Sequence, residues 1–187
     1  MSRIAPLEAP FEPDVDEQLA MMMPLGVPPI ALFRTFARNL PMARAMGGWG
    51  SYELSRGLSL SMRQREIVID RVTARCGCEY EWGVHLAFFA ERVGLTPEQQ
   101  RSLTHGSPDD DCWPADEAEL VRAVDELHDG ADVTDETWAA LVETLDERQL
   151  LDLLLLAGWY HAISYAANAA RVPLEDGAPR FADLLDA

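Results

Sequence analysis

A chain of 187 residues, 48% of them hydrophobic, has enough apolar material for one sizeable core and is expected to form a single compact domain. A formal net charge of −17 argues against bare nucleic acid or an anionic membrane as a partner, since both recruit positive charge. The three cysteines, two of them crowded as Cys76-Gly-Cys78, follow no charged-then-apolar leader. The longest apolar run, 150–157, is interrupted by Asp152 and too short to cross a bilayer, so the chain reads as cytoplasmic with reduced thiols.

Residues 1–13 are proline-rich and without periodicity, and they read as an N-terminal arm. Residues 14–175 read as one helical domain and 176–187 as a C-terminal tail. Within the domain, 14–23 suits a short helix closed by Pro24, and the Pro28-Pro29 pair starts another that runs to Ala37. Pro41 opens a third, although Gly47, Gly48 and Gly50 weaken its middle. Ser61-Met-Arg-Gln64 is a capping-box pattern for a central helix whose buried side is Ile67, Val68, Val72 and Ala74, with Gly77 as its stop. The next helix reaches Arg92 or Val93. Thr96, Pro114, Thr134 and Asp146 each mark a further helix start, and the last helix extends to about Ala170. Sustained strand alternation is nowhere evident, so the expected class is all-α.

The chemistry concentrates in residues 63–95. Cys78, Glu81 and His85 stand at i, i+3 and i+7, so one helix carries them on one stripe, and Glu66 on the preceding helix can fold back toward them. Imidazole titrates near about 6.5 when unperturbed, which suits His85 for giving or taking a proton. Glu81 can orient it or act as a base. Cys78 sits at a helix start, where backbone dipoles favour the thiolate. Trp82, like Tyr80, Trp159 and Tyr160, reads as core or pocket wall, and Arg75, like Arg71, as a group able to hold a substrate carboxylate. Metal ligation by Cys78, Glu81 and His85 lacks the two-histidine spacing of a helical zinc site, so no metal is expected.

A weak internal echo adds one residue. Counting in step from Glu66 and from Gln149, Cys78 matches His161, Glu81 matches Ser164 and His85 matches Asn168. A duplicated helix-pair unit would account for this and would bring His161 to the first site.

The string of Glu66, Cys78, Glu81 and His85 resembles the signature of the carboxymuconolactone decarboxylase family, which includes the alkylhydroperoxidase D-like proteins. In the peroxidase branch the pattern is Glu, Cys-x-x-Cys, His. Glu66 then matches the proton-relay glutamate, Cys78 the first cysteine and His85 the histidine, while Glu81 replaces the second cysteine. The run Glu79-Tyr-Glu-Trp-Gly-Val-His85 resembles the decarboxylase-like branch instead. The resemblance implies an all-helical fold that assembles into trimers or hexamers. It also implies a cofactor-free acid–base lyase acting on a small carboxylated lactone or related unsaturated acid. Glu66, Cys78, Glu81 and His85 would be its catalytic residues, and Arg75, Trp82 and His161 would contact substrate. Two other readings stay open: a thiol peroxidase using Cys78, and a non-catalytic oligomeric binding protein.

Overall fold

A computed structural model describes residues 1–185, and among these the regular structure is entirely helical. Three short or glycine-bearing helices come first: α1 (Pro13–Met22), α2 (Ala31–Phe36) and α3 (Leu40–Glu53). Then follow α4 (Met62–Arg75), α5 (Glu79–Phe89), α6 (Pro97–His105), α7 (Ala115–Gly130), α8 (Asp135–Leu141) and α9 (Glu147–Ala170). The glycines of α3 do not break it.

Helix α4 is the axis of the fold and packs against α5, α6, α7 and α9. Ile67, Val68, Ile69 and Val72 on it are fully buried, each worth about 1.5–3 kcal/mol relative to exposure. The amphipathic expectation for this helix was too modest. Every residue from Arg65 to Thr73 is buried, so its polar groups lie inside as well and must find partners there.

The start and stop signals act where the sequence puts them. Ser61–Gln64, Thr96–Gln99 and Asp146–Gln149 form complete capping boxes for α4, α6 and α9. At the other end of α4, Gly77 takes φ +59°, Gly77 N–H donates to Ala74 O, and Cys78 N–H donates to Thr73 O at 2.8 Å. This paired closure turns the chain sharply, so Cys78 becomes the N-cap of α5 and α5 runs back along α4.

Both ends of the chain are tied to the domain. Arg3 and Ile4 donate backbone hydrogen bonds to Ala170 O, and Arg34 holds Leu7 O and Glu8. Glu175 accepts from Ala31 N–H at 2.6 Å and from Tyr80 O–H at 2.5 Å, satisfying the start of α2. Phe181 lies 4.9 Å from Trp82, and Pro179 O comes so close to Gly83 that a Cβ there would meet it at 2.7 Å. The tail is thus a packed strap across α5 as far as residue 185; its last two positions lie outside the described residues.

Helix α9 is long and apolar enough to cross a membrane, yet half of that stretch is buried in the domain. Asp152 on it accepts hydrogen bonds from Tyr52 and Ser59, which suits a core helix. The helix is also unbroken across the positions that echo Gly77, so the second half of the internal echo is one helix rather than a pair.

Candidate active site

Three helices bring titratable side chains to one buried point. Glu66, fully buried on α4, accepts from Nδ1 of His85 on α5 at 2.8 Å through one carboxylate oxygen. Its other oxygen accepts from Arg65 at 2.6 Å. On the far side of the imidazole, Nε2 of His85 meets the Tyr160 hydroxyl of α9 at 3.1 Å, with the rings edge to face at 5.1 Å. Glu81, one turn before His85, stands 3.6 Å from Nε2, a charge contact rather than a hydrogen bond. A carboxylate, an imidazole and a phenol therefore form one line, Glu66–His85–Tyr160.

The surroundings set the protonation of that line. Burial pulls the His85 imidazole toward its neutral form, but the Glu66 charge and hydrogen bond and the Glu81 charge outweigh it, holding the group up at about 10. At neutral pH the ring is an imidazolium with both N–H groups directed at partners. Burial first, then the negative charges of Glu81 and Glu66, push Tyr160 well above its ordinary value, so it stays a phenol. Asp70, one turn along α4 from Glu66, is pushed up by burial and by Glu66; neither of its oxygens has a partner, as befits a neutral acid. Burial also raises Glu53 of α3, whose carboxyl accepts from Trp49 Nε1.

Glu66, Glu81 and His85 converge as their spacing suggests. Cys78 is fully buried beside them in sequence, but the helix-start argument for a thiolate does not hold: burial dominates and pushes its thiol up to about 11. Arg75 turns to α7, binding Asp129 at 2.5 Å and Asp125 at 3.5 Å, and does not reach the site. Arg71 is likewise consumed, by both oxygens of Asp125 and by three carbonyls at the end of α6. Of the two readings of Trp82, the structure has the core one: it is completely buried against Phe181. His161 faces another cluster, bonding His128 at 2.9 Å, so the echo does not carry it to His85.

Sequence reasoning missed Arg65, Asp70 and Tyr160 as members of the site. Asp70 stands at i+4 from Glu66 within an apolar run, which is a readable sign of a shared buried face. Tyr160 lies 75 positions from His85 and left no such sign. Two surface clefts, of about 500 Å³ beside α6 and about 670 Å³ beside α7, include none of the relay residues.

Residues 41–126 match the model of the carboxymuconolactone decarboxylase family, a span that holds Glu66, Cys78, Glu81 and His85 but not Tyr160. No curated protein matches the sequence. Among solved structures, the chain is similar to a peroxidase-related protein from Ralstonia eutropha JMP134 described as an alkylhydroperoxidase AhpD core. The two align with TM-score 0.77 and 16% identity over 92% of this chain and 93% of that one. The apo debrominase Bmp8 is similar with TM-score 0.76 and 16% identity over 98% and 96%. A peroxidase-related protein from Silicibacter sp. TM1040 gives TM-score 0.76 and 18% identity over 95% and 96%. At these identities the likeness establishes the fold.

Proposed function

We propose that this chain, whose residues 41–126 match the carboxymuconolactone decarboxylase family, is a member of that family and a cofactor-free acid–base lyase acting on a small carboxylated lactone or related unsaturated acid. The observation that carries this reading is the position of His85, held as an imidazolium between Glu66 and Tyr160. A donor of that kind suits a reaction whose difficult moment is a carbanion. As the bond to the departing carboxyl carbon breaks, its electron pair stays on the ring carbon, conjugated with the lactone carbonyl. Tyr160 gives its hydroxyl proton to that carbon and takes one from Nε2 of His85. Glu66 holds Nδ1 throughout and stabilises the cation before transfer. The buried Glu81 Oε2 has no partner and is available to a substrate polar group.

The carboxylate of the incoming acid falls to Arg92. Its guanidinium lies 5.8 Å over the Phe89 ring, and that ring is 5.5 Å from His85. We read the assembly as a homo-oligomer, a trimer or hexamer. Leu151, Leu155 and Tyr165 are 60%, 50% and 67% exposed and align with Gly158 and Ala162 along one face of α9, a continuous apolar stripe suited to a second copy. The reduced state of the thiols accords with a cytoplasmic setting.

The test is carbon dioxide release from a panel of small carboxylated lactones in deuterium oxide. Expected are one deuterium at the former carboxyl-bearing carbon and a loss of at least a hundredfold in Tyr160→Phe and in His85→Asn, with circular dichroism verifying that each variant is folded. Full turnover in a folded His85→Asn overturns the assignment. So does peroxide consumption that removes two free thiols per chain without lyase turnover.

A further inference from the structure

Away from the relay, three side chains from three helices aim donor atoms at one point: Cys76 at the C-terminal cap of α4, His128 in the last turn of α7 and His161 in the middle of α9. His128 Nδ1 is 2.9 Å from His161 Nε2 and 3.9 Å from Cys76 Sγ, and all three donors lie within 4.8 Å of one another. We propose that Cys76, His128 and His161 form a zinc-class metal site with one open coordination position.

Four features favour a metal over a chance meeting of side chains. The first is size. Tetrahedral zinc with ordinary ligand lengths requires about 3.3 Å between two nitrogens and about 3.6 Å between nitrogen and sulfur. The observed separations of 2.9 Å and 3.9 Å bracket these values, and with every donor pair within 4.8 Å, side-chain shifts of up to about an ångström complete the geometry.

The second feature is orientation. His161 Nδ1–H donates to Ala157 O at 3.0 Å, which fixes the tautomer and leaves a lone pair on Nε2, the atom that faces the cluster. A ring nitrogen anchored to a carbonyl while the other is presented inward is how metal-ligating histidines are usually held. His128 Nδ1 carries the proton that now lies between the rings, and a metal takes that proton's place as the ring shifts to its other tautomer. One proton leaves with the Cys76 thiol.

Support behind the cysteine is the third feature. Asn168 Nδ2 donates to Cys76 O at 3.0 Å and holds the cap in place, while the Ser164 hydroxyl, buried and without a partner, lies by the thiol and is free to donate to a thiolate.

Access and charge are the fourth. All three ligands are partly exposed, and beside His128 the Arg75 cation is matched by Asp125 and Asp129, so no unpaired positive charge opposes a metal ion. Asp129 is bound by Arg75 at 2.5 Å, so a fourth position is left for water or an external ligand. One thiolate with two imidazoles selects a borderline-soft ion such as zinc over magnesium or calcium.

The test uses the untagged full-length protein and does not depend on lyase activity. Cobalt(II) is expected to bind at one per chain after dialysis, with a thiolate-to-cobalt charge-transfer band and tetrahedral visible absorption. Zinc is expected to displace it. Cys76→Ser and His161→Asn each weaken binding at least a hundredfold, whereas Cys112→Ser and His105→Asn leave it unchanged. A second measurement needs no variant. Zinc should slow alkylation of Cys76 at least tenfold in the native protein, with Cys112 as the internal reference, read by mass spectrometry. Loss of cobalt on dialysis, binding that survives in a folded Cys76→Ser, or equal alkylation of Cys76 with and without zinc overturns the site.

Discussion

Replacing Glu66 by glutamine keeps the shape of the side chain and removes the charge between Arg65 and His85. In the intact protein the His85 value rises from 6.5 to about 10. The folded state therefore holds this proton more tightly than the unfolded chain does. The resulting stabilisation is complete below about pH 6.5 and is lost as pH climbs through about 10. At about 1.4 kcal/mol for each tenfold change, the rise corresponds to about 5 kcal/mol at most. With a urea dependence of roughly 2 kcal/mol per molar, the unfolding midpoint should fall by up to about 2 M between pH 6.5 and 10. In Glu66→Gln, the charge and hydrogen bond that hold the imidazolium are gone and burial is opposed only by Glu81, so most of this pH dependence should vanish. Arg65, also buried, loses its carboxylate, which costs about 3–5 kcal/mol at low pH. Urea unfolding across the pH range, together with the NMR titration of the His85 ring, measures both effects. Cys78, whose thiol burial pushes to about 11, also lowers stability above about pH 9, but it does so in both proteins and cancels in the comparison. Equal pH slopes in the two proteins, or a His85 ring titrating near 6.5 in the native one, would refute the electrostatic account.

Further expectations follow from single contacts. Tyr160→Phe removes the hydroxyl at Nε2 of His85 and should cost about 1.5–3 kcal/mol in urea unfolding while lowering turnover by about 10²–10⁴; a variant with normal turnover would remove Tyr160 from the relay. Arg92→Gln should raise KM about tenfold with kcat within about twofold, as loss of binding shared by ground and transition states does. A fall in kcat alone would contradict its role as carboxylate holder. Arg71→Gln abandons both Asp125 oxygens and three helix-end carbonyls, and should destabilise by about 3–5 kcal/mol without moving the His85 titration. Leu155→Glu should reduce the proposed self-association to monomers in sedimentation, and an unchanged mass would remove this face of α9 from the proposal.

Short-range signals carried most of the fold. The capping boxes at Ser61, Thr96 and Asp146 and the stop at Gly77 are local bargains between a side chain and nearby backbone, so a one-dimensional string displays them in full. The approach of Glu81 to His85 was legible for the same reason: helical spacing alone defines it. Whatever depended on which face of α4 meets which neighbour was hidden. Arg71 and Arg75 look like free cations in the sequence, and only their packing against α7 shows them to be consumed by Asp125 and Asp129. Tyr160 and His161 are adjacent in sequence, yet the turn of the helix sends one to His85 and the other to His128. The echo could not foresee that division, because it depends on the rotation of α9 about its own axis.

The replacement of a second thiol by Glu81 has one electrostatic cause with two effects. Burial leads the rise of the Cys78 thiol to about 11, and the Glu81 charge adds to it, which leaves roughly one thiolate in ten thousand at neutral pH. The same charge, 3.6 Å from Nε2, helps hold the His85 proton in place against burial. Burial thus keeps the Cys78 thiol protonated, while the Glu81 charge helps keep the proton on His85. Cys-x-x-Cys chemistry requires the reverse, a thiolate that attacks and a second thiol that resolves. The cations at the site are already matched by the protein's own carboxylates, Arg65 and His85 by Glu66 and His85 again by Glu81. What this buried line offers a substrate is therefore a proton, and the countercharge for a substrate carboxylate is left to Arg92 outside it. The proposed decarboxylation uses such a supply: the carboxyl departs as neutral carbon dioxide, its electron pair stays on the substrate carbon, and a proton from the line meets it there.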